Sequence, residues 1–259
     1  MANRKGALRI AIAQPSRPPP RQRRACSKIL APFAPRVHAH PMFRAILALS
    51  GCLLAGPAAG CDTALLLAVD VSGSISGAEY ALQMQGMADA LSDPSVIDAL
   101  VTGQDRLALV HWSGKRNQRL SLDWQQITSP ADVAALAETL RHIRRPLDHT
   151  DTAIGQALRF SLAQFARVPD CDRQVIDLSG DGAENAGGTL DAARLEVQAS
   201  GVLLNAIAID ATGDTFDLTA YFRDRVIFPG GFVMTAHGLA DYPRAIRAKL
   251  LRELIKTVS

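Results

Sequence analysis

The sequence predicts a doubly wound α/β domain, a mostly parallel sheet with helices on both faces, and three observations lead there. The run ALLLAVD, residues 64–70, is apolar without alternation, as a central parallel strand covered on both sides requires. Similar runs alternate along the chain with stretches of helical period, which implies parallel strands joined by right-handed crossovers. Two of the runs end in an oxygen-bearing side chain, at Asp70 and Asp181. Ligands of such sheets bind beyond the carboxyl ends of the strands, near the point where strand order reverses.

The elements follow in order. After the first strand, residues 78–91 place Tyr80, Met84, Met87 and Leu91 at helical spacing. DRLALVHWSG (105–114) and QRLSLDW (118–124) read as two strands. SPADVAALAETLRHI begins a helix, with Ser129 as N-cap and Pro130 at the first helical position. A helix at 152–166, a strand at 173–179 and a helix at 189–200 come next, then the strand GVLLNAIAI (201–209). A short helix near 215–223 and a strand around 231–235 precede a closing helix, 239–257, with Ala245, Ile246, Leu250, Leu251 and Ile255 facing inward. Asp177 falls inside a strand, where a charge is costly unless paired, and His111 or Arg106 are the candidate partners.

Charge divides the chain. Residues 1–60 hold ten of the 28 basic residues and none of the 25 acidic ones, so the remainder carries a net charge near −7 although the whole chain is +3. The basic pI of 8.8 therefore belongs to the leader and does not point to a nucleic-acid partner. Residues 1–41 are rich in Arg and Pro and read as a disordered extension or a start assigned too far upstream. Residues 42–60 read as a signal peptide: Arg44, an apolar run from Ala45 to about Ala55, then the small residues Ala58 and Gly60. A buried N-terminal helix is the alternative, and the run is short for a membrane span. The expected domain is 61–259, exported to the bacterial periplasm or beyond. LSGC, ending at Cys52, resembles a lipobox, so a lipid on Cys52 or Cys61 is the one route to a membrane apart from an uncleaved leader.

Four cysteines are present, Cys26 and Cys52 in the leader and Cys61 and Cys171 in the domain. Cys61 precedes Asp70 by nine residues and Cys171 precedes Asp181 by ten. If those aspartates end neighbouring parallel strands, the cysteines meet at the opposite end and form a disulfide, as an oxidising compartment permits. Two unpaired thiols are the alternative.

The loop after the first strand holds Asp70, Ser72 and Ser74, two residues apart, and so gathers one carboxylate and two hydroxyls. LSGDGAEN sets Asp181 between two glycines, and HTDTAIGQAL places Thr150 and Thr152 at the entry to a helix. Oxygen donors without His or thiolate suit Mg²⁺, Mn²⁺ or Ca²⁺. Taken singly, Ser72 and Ser74 also suit a turn and a helix cap, and Asp181 an N-cap. His149 reads as a solvated loop residue.

In that order, Asp-x-Ser-x-Ser, a Thr ahead of a helix, and an Asp-Gly after an apolar strand resemble the metal-ion-dependent adhesion site of von Willebrand factor type A domains. AVDVSGS, WSG, LDW and VIDLSGDG resemble an exported bacterial subgroup of that superfamily, over residues 62–257. The resemblance implies the Rossmann-like fold of that superfamily. It implies Ser72 and Ser74 as direct ligands, Asp70 and Asp181 as direct or water-mediated ones, and Thr150, the first Thr of Thr-x-Thr, as a switchable ligand. It further implies a protein partner whose acidic residue completes the ion's shell, so that the domain is a divalent-cation-dependent binding module and not an enzyme. An uncovered cation would then be a positive focus on an otherwise negative surface.

Catalytic alternatives lack residues. Phosphohydrolases with an aspartate nucleophile usually place a second Asp where Ser72 stands, GSISG misses the nucleophile-elbow pattern by one position, and Gly-rich phosphate loops are absent after the first strand. A Mg²⁺-dependent hydrolase at the same site is the remaining enzyme reading, and a purely structural metal is the third.

Overall fold

The computed structural model describes residues 60–146, 151–210 and 215–255. The extension 1–41, the export signal up to residue 59, Cys52, His149 and Thr150 lie outside the described residues. Six strands form one sheet: β1 (Cys61–Asp70), β2 (Arg106–Trp112), β3 (Gln118–Gln126), β4 (Cys171–Gly180), β5 (Leu203–Asp210) and β6 (Val233–His237). Their order is β3-β2-β1-β4-β5-β6, parallel throughout except for the antiparallel pair β2 and β3. The chain winds outward from β1 to one edge and then from β4 to the other. The switch in strand order therefore falls between β1 and β4, whose ends carry Asp70 and Gly180-Asp181.

The helices are α1 (Gly77–Leu91), α2 (Pro94–Gly103), α3 (Pro130–His142), α4 (Ile154–Gln164), α5 (Leu190–Ser200), α6 (Leu218–Tyr221) and α7 (Tyr242–Leu254). The unbroken apolar run of β1 is explained by the two cores it feeds. Leu65, Leu67 and Val69 pack with residues of α1, α2, α3 and α7, whereas Leu66 and Ala68 point to the opposite face and pack with α4 and α5. Tyr80, Met84, Met87 and Leu91 form the buried face of α1, as their spacing predicts. Ser129 caps α3 and closes a capping box with Asp132.

The structure departs from the sequence reading in four places. Helix α2 was not expected; Asp93 caps it and Pro94 opens it, but only Ser92 and Asp93 separate it from α1. In place of one short helix near 215–223, α6 is a single turn that widens into a π-turn over Phe222–Val226. Ile255 is 52% exposed and Leu251 only partly buried, so the inward face of α7 is Tyr242, Ala245, Ile246, Leu250 and Leu254. Neither His111 nor Arg106 pairs with Asp177. Lys249 Nζ of α7 lies 2.6 Å from Asp177 Oδ1, Arg106 forms a bidentate pair with Asp170, and His111 is held by Tyr80 and Ser121.

Cys61 and Cys171 stand opposite one another at the start of β1 and β4 and are joined by a disulfide. At the far edge, Gly231 is required by close approach: a Cβ there would overlap the carbonyl oxygen of Leu204. Gly231→Ala is expected to lower stability by about 1–3 kcal/mol through overpacking against backbone that cannot rotate away. Urea unfolding with an unchanged midpoint would refute this.

Candidate metal-binding site

Asp70 is the last residue of β1 and is fully buried. Its Oδ1 accepts the backbone N–H of Ser72 at 2.7 Å, while its Oδ2 is buried with no hydrogen-bonding partner among the described residues. Two residues on, Ser72 Oγ lies 3.3 Å from Ser74 Oγ, and Ser74 Oγ donates to Asp181 Oδ1 at 2.8 Å. The loops after two strands thus converge on one spot through side-chain oxygens of Ser74 and Asp181, 107 residues apart in sequence.

The turn part of the alternative is present, since Ser72 O accepts from Ile75 N–H at 3.0 Å, but none of Ser72, Ser74 and Asp181 caps a helix. Helix α1 is capped by Ser76, which accepts from Glu79 N–H while the Glu79 carboxylate accepts from Ser76 N–H. Helix α5 follows Thr189, eight residues beyond Asp181. Their side chains converge between the ends of β1 and β4 without serving as helix caps.

Electrostatics sharpen the picture. Burial pushes the Asp70 carboxyl up to about 7, the charge of Asp181 adds to the rise, and the Ser72 hydrogen bonds and Arg145 oppose it. Asp181 is also raised, chiefly by burial. A buried carboxylate with an orphaned oxygen, facing a second carboxylate, is a costly arrangement unless a cation or a proton compensates it. Carboxylate and hydroxyl oxygens are the donors that hard divalent cations take. Among the described residues no three His, Cys, Asp or Glu side chains group to hold a metal, so hydroxyls are needed to complete any set here. The cluster grades outward: Asp70 and Ser72 are buried, Asp181 half-buried and Ser74 exposed.

Several supports were not foreseen from the sequence. Arg145 donates to the carbonyls of Val71 and Ser72 at 2.9 and 3.1 Å and so fixes the backbone of the loop. Gly180 leaves this approach uncrowded, since a Cβ there would stand 3.2 Å from Asp70 Oδ2 and 3.4 Å from the Trp112 ring. The loop after β4 grips the entry to α4: Asn185 Oδ1 accepts from Thr152 N–H, Thr152 O accepts from Asn185 and Ala186 N–H, and Glu184 Oε2 accepts from Gly155 N–H. That last contact supplies the anion which the helix N-terminus lacks, since Ala153 cannot cap it. The Asn in LSGDGAEN was a visible signal for this grip; Arg145 had none. Thr152 is buried and turned toward the loop, its Oγ1 3.6 Å from where a Cβ on Gly182 would stand. A cavity of about 530 Å³ beside Asp62 and Leu254 is at the other end of β1, remote from this cluster.

Comparison with known proteins is consistent with this frame. Residues 60–258 match the family described as "Protein of unknown function (DUF1194)". No curated protein matches the chain. Among solved structures, it is similar to a von Willebrand factor type A protein from Catenulispora acidiphila, with 16% identity and TM-score 0.57 over 76% of this chain and 44% of that one. A proximal thread matrix protein from the mussel byssus, described with a zinc-occupied MIDAS motif, shares 18% identity and TM-score 0.56 over 74% of this chain and 48% of that one. The vWF domain of a pilus tip protein from Porphyromonas gingivalis shares 11% identity and TM-score 0.51 over 77% of this chain and 98% of that one. The chain spans less than half the length of the first two. These likenesses establish the fold.

Proposed function

The chain belongs to the DUF1194 family and has the von Willebrand factor type A fold, and on that premise we propose that it is a divalent-cation-dependent protein-binding module. The observation that carries this reading is the buried, unpartnered Oδ2 of Asp70 within a cluster that Ser72, Ser74 and Asp181 complete. Asp70, Ser72, Ser74, Asp181 and, from outside the described residues, Thr150 would hold Mg²⁺, Mn²⁺ or Ca²⁺. The ion would supply a positive centre to which an acidic side chain of a protein partner binds. The chain's own residues do the rest: Arg145 fixes the loop, Gly180 lets β4 approach Asp70, and the exposed Ser74 marks the side from which a partner arrives.

The zinc-occupied MIDAS motif of the mussel protein, and the vWF domain's place in a pilus tip protein, support the reading by analogy. Export to the periplasm or beyond fits the leader and the disulfide. No helix among the described residues is long and apolar enough to cross a membrane. Because Cys61 is in the disulfide, a lipid anchor would have to use Cys52.

The test is a thermal melt of the protein after chelation and again with Mg²⁺, Mn²⁺ or Ca²⁺, beside Asp181→Ala. A ligand that binds only the folded state stabilises it by about 2.7 kcal/mol at a hundred times its Kd. An ion-specific rise in Tm that Asp181→Ala and Ser72→Ala/Ser74→Ala lose is the expected result. Equal rises in wild type and variants, or calorimetry showing no heat with any of the three ions, would refute the site.

A further inference from the structure

From residue 61 onward acidic residues outnumber basic ones by 25 to 18, and most of the basic ones are engaged. Arg106, Arg141, Arg159, Arg167, Arg223, Arg225, Arg244, Arg247 and Lys249 each pair with a carboxylate. Arg145, Arg173 and Arg194 donate to backbone carbonyls, and Arg252 stacks on Phe232 at 3.8 Å. Four remain without a carboxylate, carbonyl or aromatic partner among the described residues: Lys115, Arg116, Arg119 and Arg144. Three of them fall within five residues of one another in the sequence. Three lie in the β2–β3 turn and the first residues of β3, and the fourth on the segment leaving α3. All four are exposed.

Arg116 and Arg119 line an open cavity of about 350 Å³ with Asn117, Gln118, Pro146 and Val71. Val71 stands between Asp70 and Ser72, so this cavity shares a wall with the loop of the candidate metal site. Every other basic side chain of the described residues meets a carboxylate, a backbone carbonyl or an aromatic ring of its own domain; here cations without such a partner among the described residues border the one place where a cation-held carboxylate is proposed to dock. Such an arrangement steers and orients an anionic partner.

We propose that this cavity is a second subsite of the binding face, and that the partner is an acidic protein segment, with one carboxylate for the ion and further ones for Arg116 and Arg119. The anchoring carboxylate rests on the metal reading; the arginine subsite does not. A nucleic acid is disfavoured because no aromatic side chain lines the cavity to stack a base and the domain as a whole is negative. A polyacidic peptide carries a charge every ~3.3 Å when extended, with a neutral backbone that Asn117 can meet.

The probe is a fluorescein-labelled deca-glutamate peptide, titrated in Mg²⁺ against the protein, beside a Gly-Ser peptide bearing a single Glu. Arg116→Glu/Arg119→Glu should bind deca-glutamate about fivefold more weakly, an effect that fades in high salt, while binding the single-Glu peptide as wild type does. Its melt should match wild type, since both side chains are exposed. Ser72→Ala/Ser74→Ala should instead remove the Mg²⁺ dependence of both peptides. Undiminished deca-glutamate binding by the arginine variant, or none by wild type, would overturn the subsite. So would single-stranded DNA of equal charge binding wild type as tightly as deca-glutamate does. If Mg²⁺ affects neither peptide yet the arginine variant still loses deca-glutamate, the subsite stands and the metal reading falls.

Discussion

Lys249→Met is expected to destabilise the domain by about 3–5 kcal/mol, because it leaves the buried Asp177 carboxylate, with Glu253 beside it, without an ammonium partner. Lys249 is fully buried on α7, with Nζ 2.6 Å from Asp177 Oδ1 of β4 and 2.5 Å from Glu253 Oε1 one turn on. Asn205 of β5 donates to the same Glu253 oxygen at 2.7 Å and accepts from Phe232 N–H at 3.1 Å. Two acids thus share one ammonium beneath the last helix. Burial, more than any neighbour, pushes the Glu253 carboxyl up from 4.5 to about 7; the Asp177 charge adds to the rise and Lys249 opposes it. The folded chain therefore keeps a proton on Glu253 that the unfolded chain releases. The corresponding stability is fully present below about pH 4.5, is lost as pH rises toward about 7, and is flat above. Urea unfolding between pH 5 and 8 should show this decline in wild type and a shallower one in Glu253→Gln, which leaves Asp177 and Lys249 as a balanced pair. Parallel pH profiles for the two proteins would remove Glu253 as the titrating group, and a Lys249→Met midpoint equal to wild type would remove the network as a source of stability.

The second large effect is expected from the disulfide. Cys61→Ala/Cys171→Ala should lose about 4–5 kcal/mol in the chain-entropy description, since the bridge spans 110 residues and ties β1 to β4 at the centre of the sheet. Non-reducing peptide mapping of the exported protein should recover Cys61 joined to Cys171. Lipid on Cys61, or both thiols alkylated without reduction, would contradict the bridge. The loss should appear in the chelated protein as well, because the cysteines sit at the opposite end of β1 and β4 from Asp70 and Asp181. That separates it from any loss caused by disturbing the metal-binding cluster.

The architecture was written in local pattern. ALLLAVD demanded cover on both faces, and the two cores provide it. The spacing of Cys61 and Cys171 from their strand ends was enough to anticipate their meeting, because parallel strands of equal length share a register. The residues of the candidate cluster were legible for the same reason, as polar side chains ending apolar runs. Other features had no local signal. Nothing near Asp177 announces Lys249, 72 positions on, because a buried ion pair is specified by the packing of α7 over the sheet and not by periodicity. Helix α2 was hidden because its start is crowded against the end of α1. Ile255 was misplaced because α7 ends at Leu254, before the apolar pattern does. The orphaned oxygen of Asp70, the contact of Ser74 with Asp181 and the cavity that sets Arg116 and Arg119 beside Val71 exist only once the strands are side by side. Periodicity reports which face of an element is buried, whereas charge compensation depends on which distant elements meet, and only folding in three dimensions decides that.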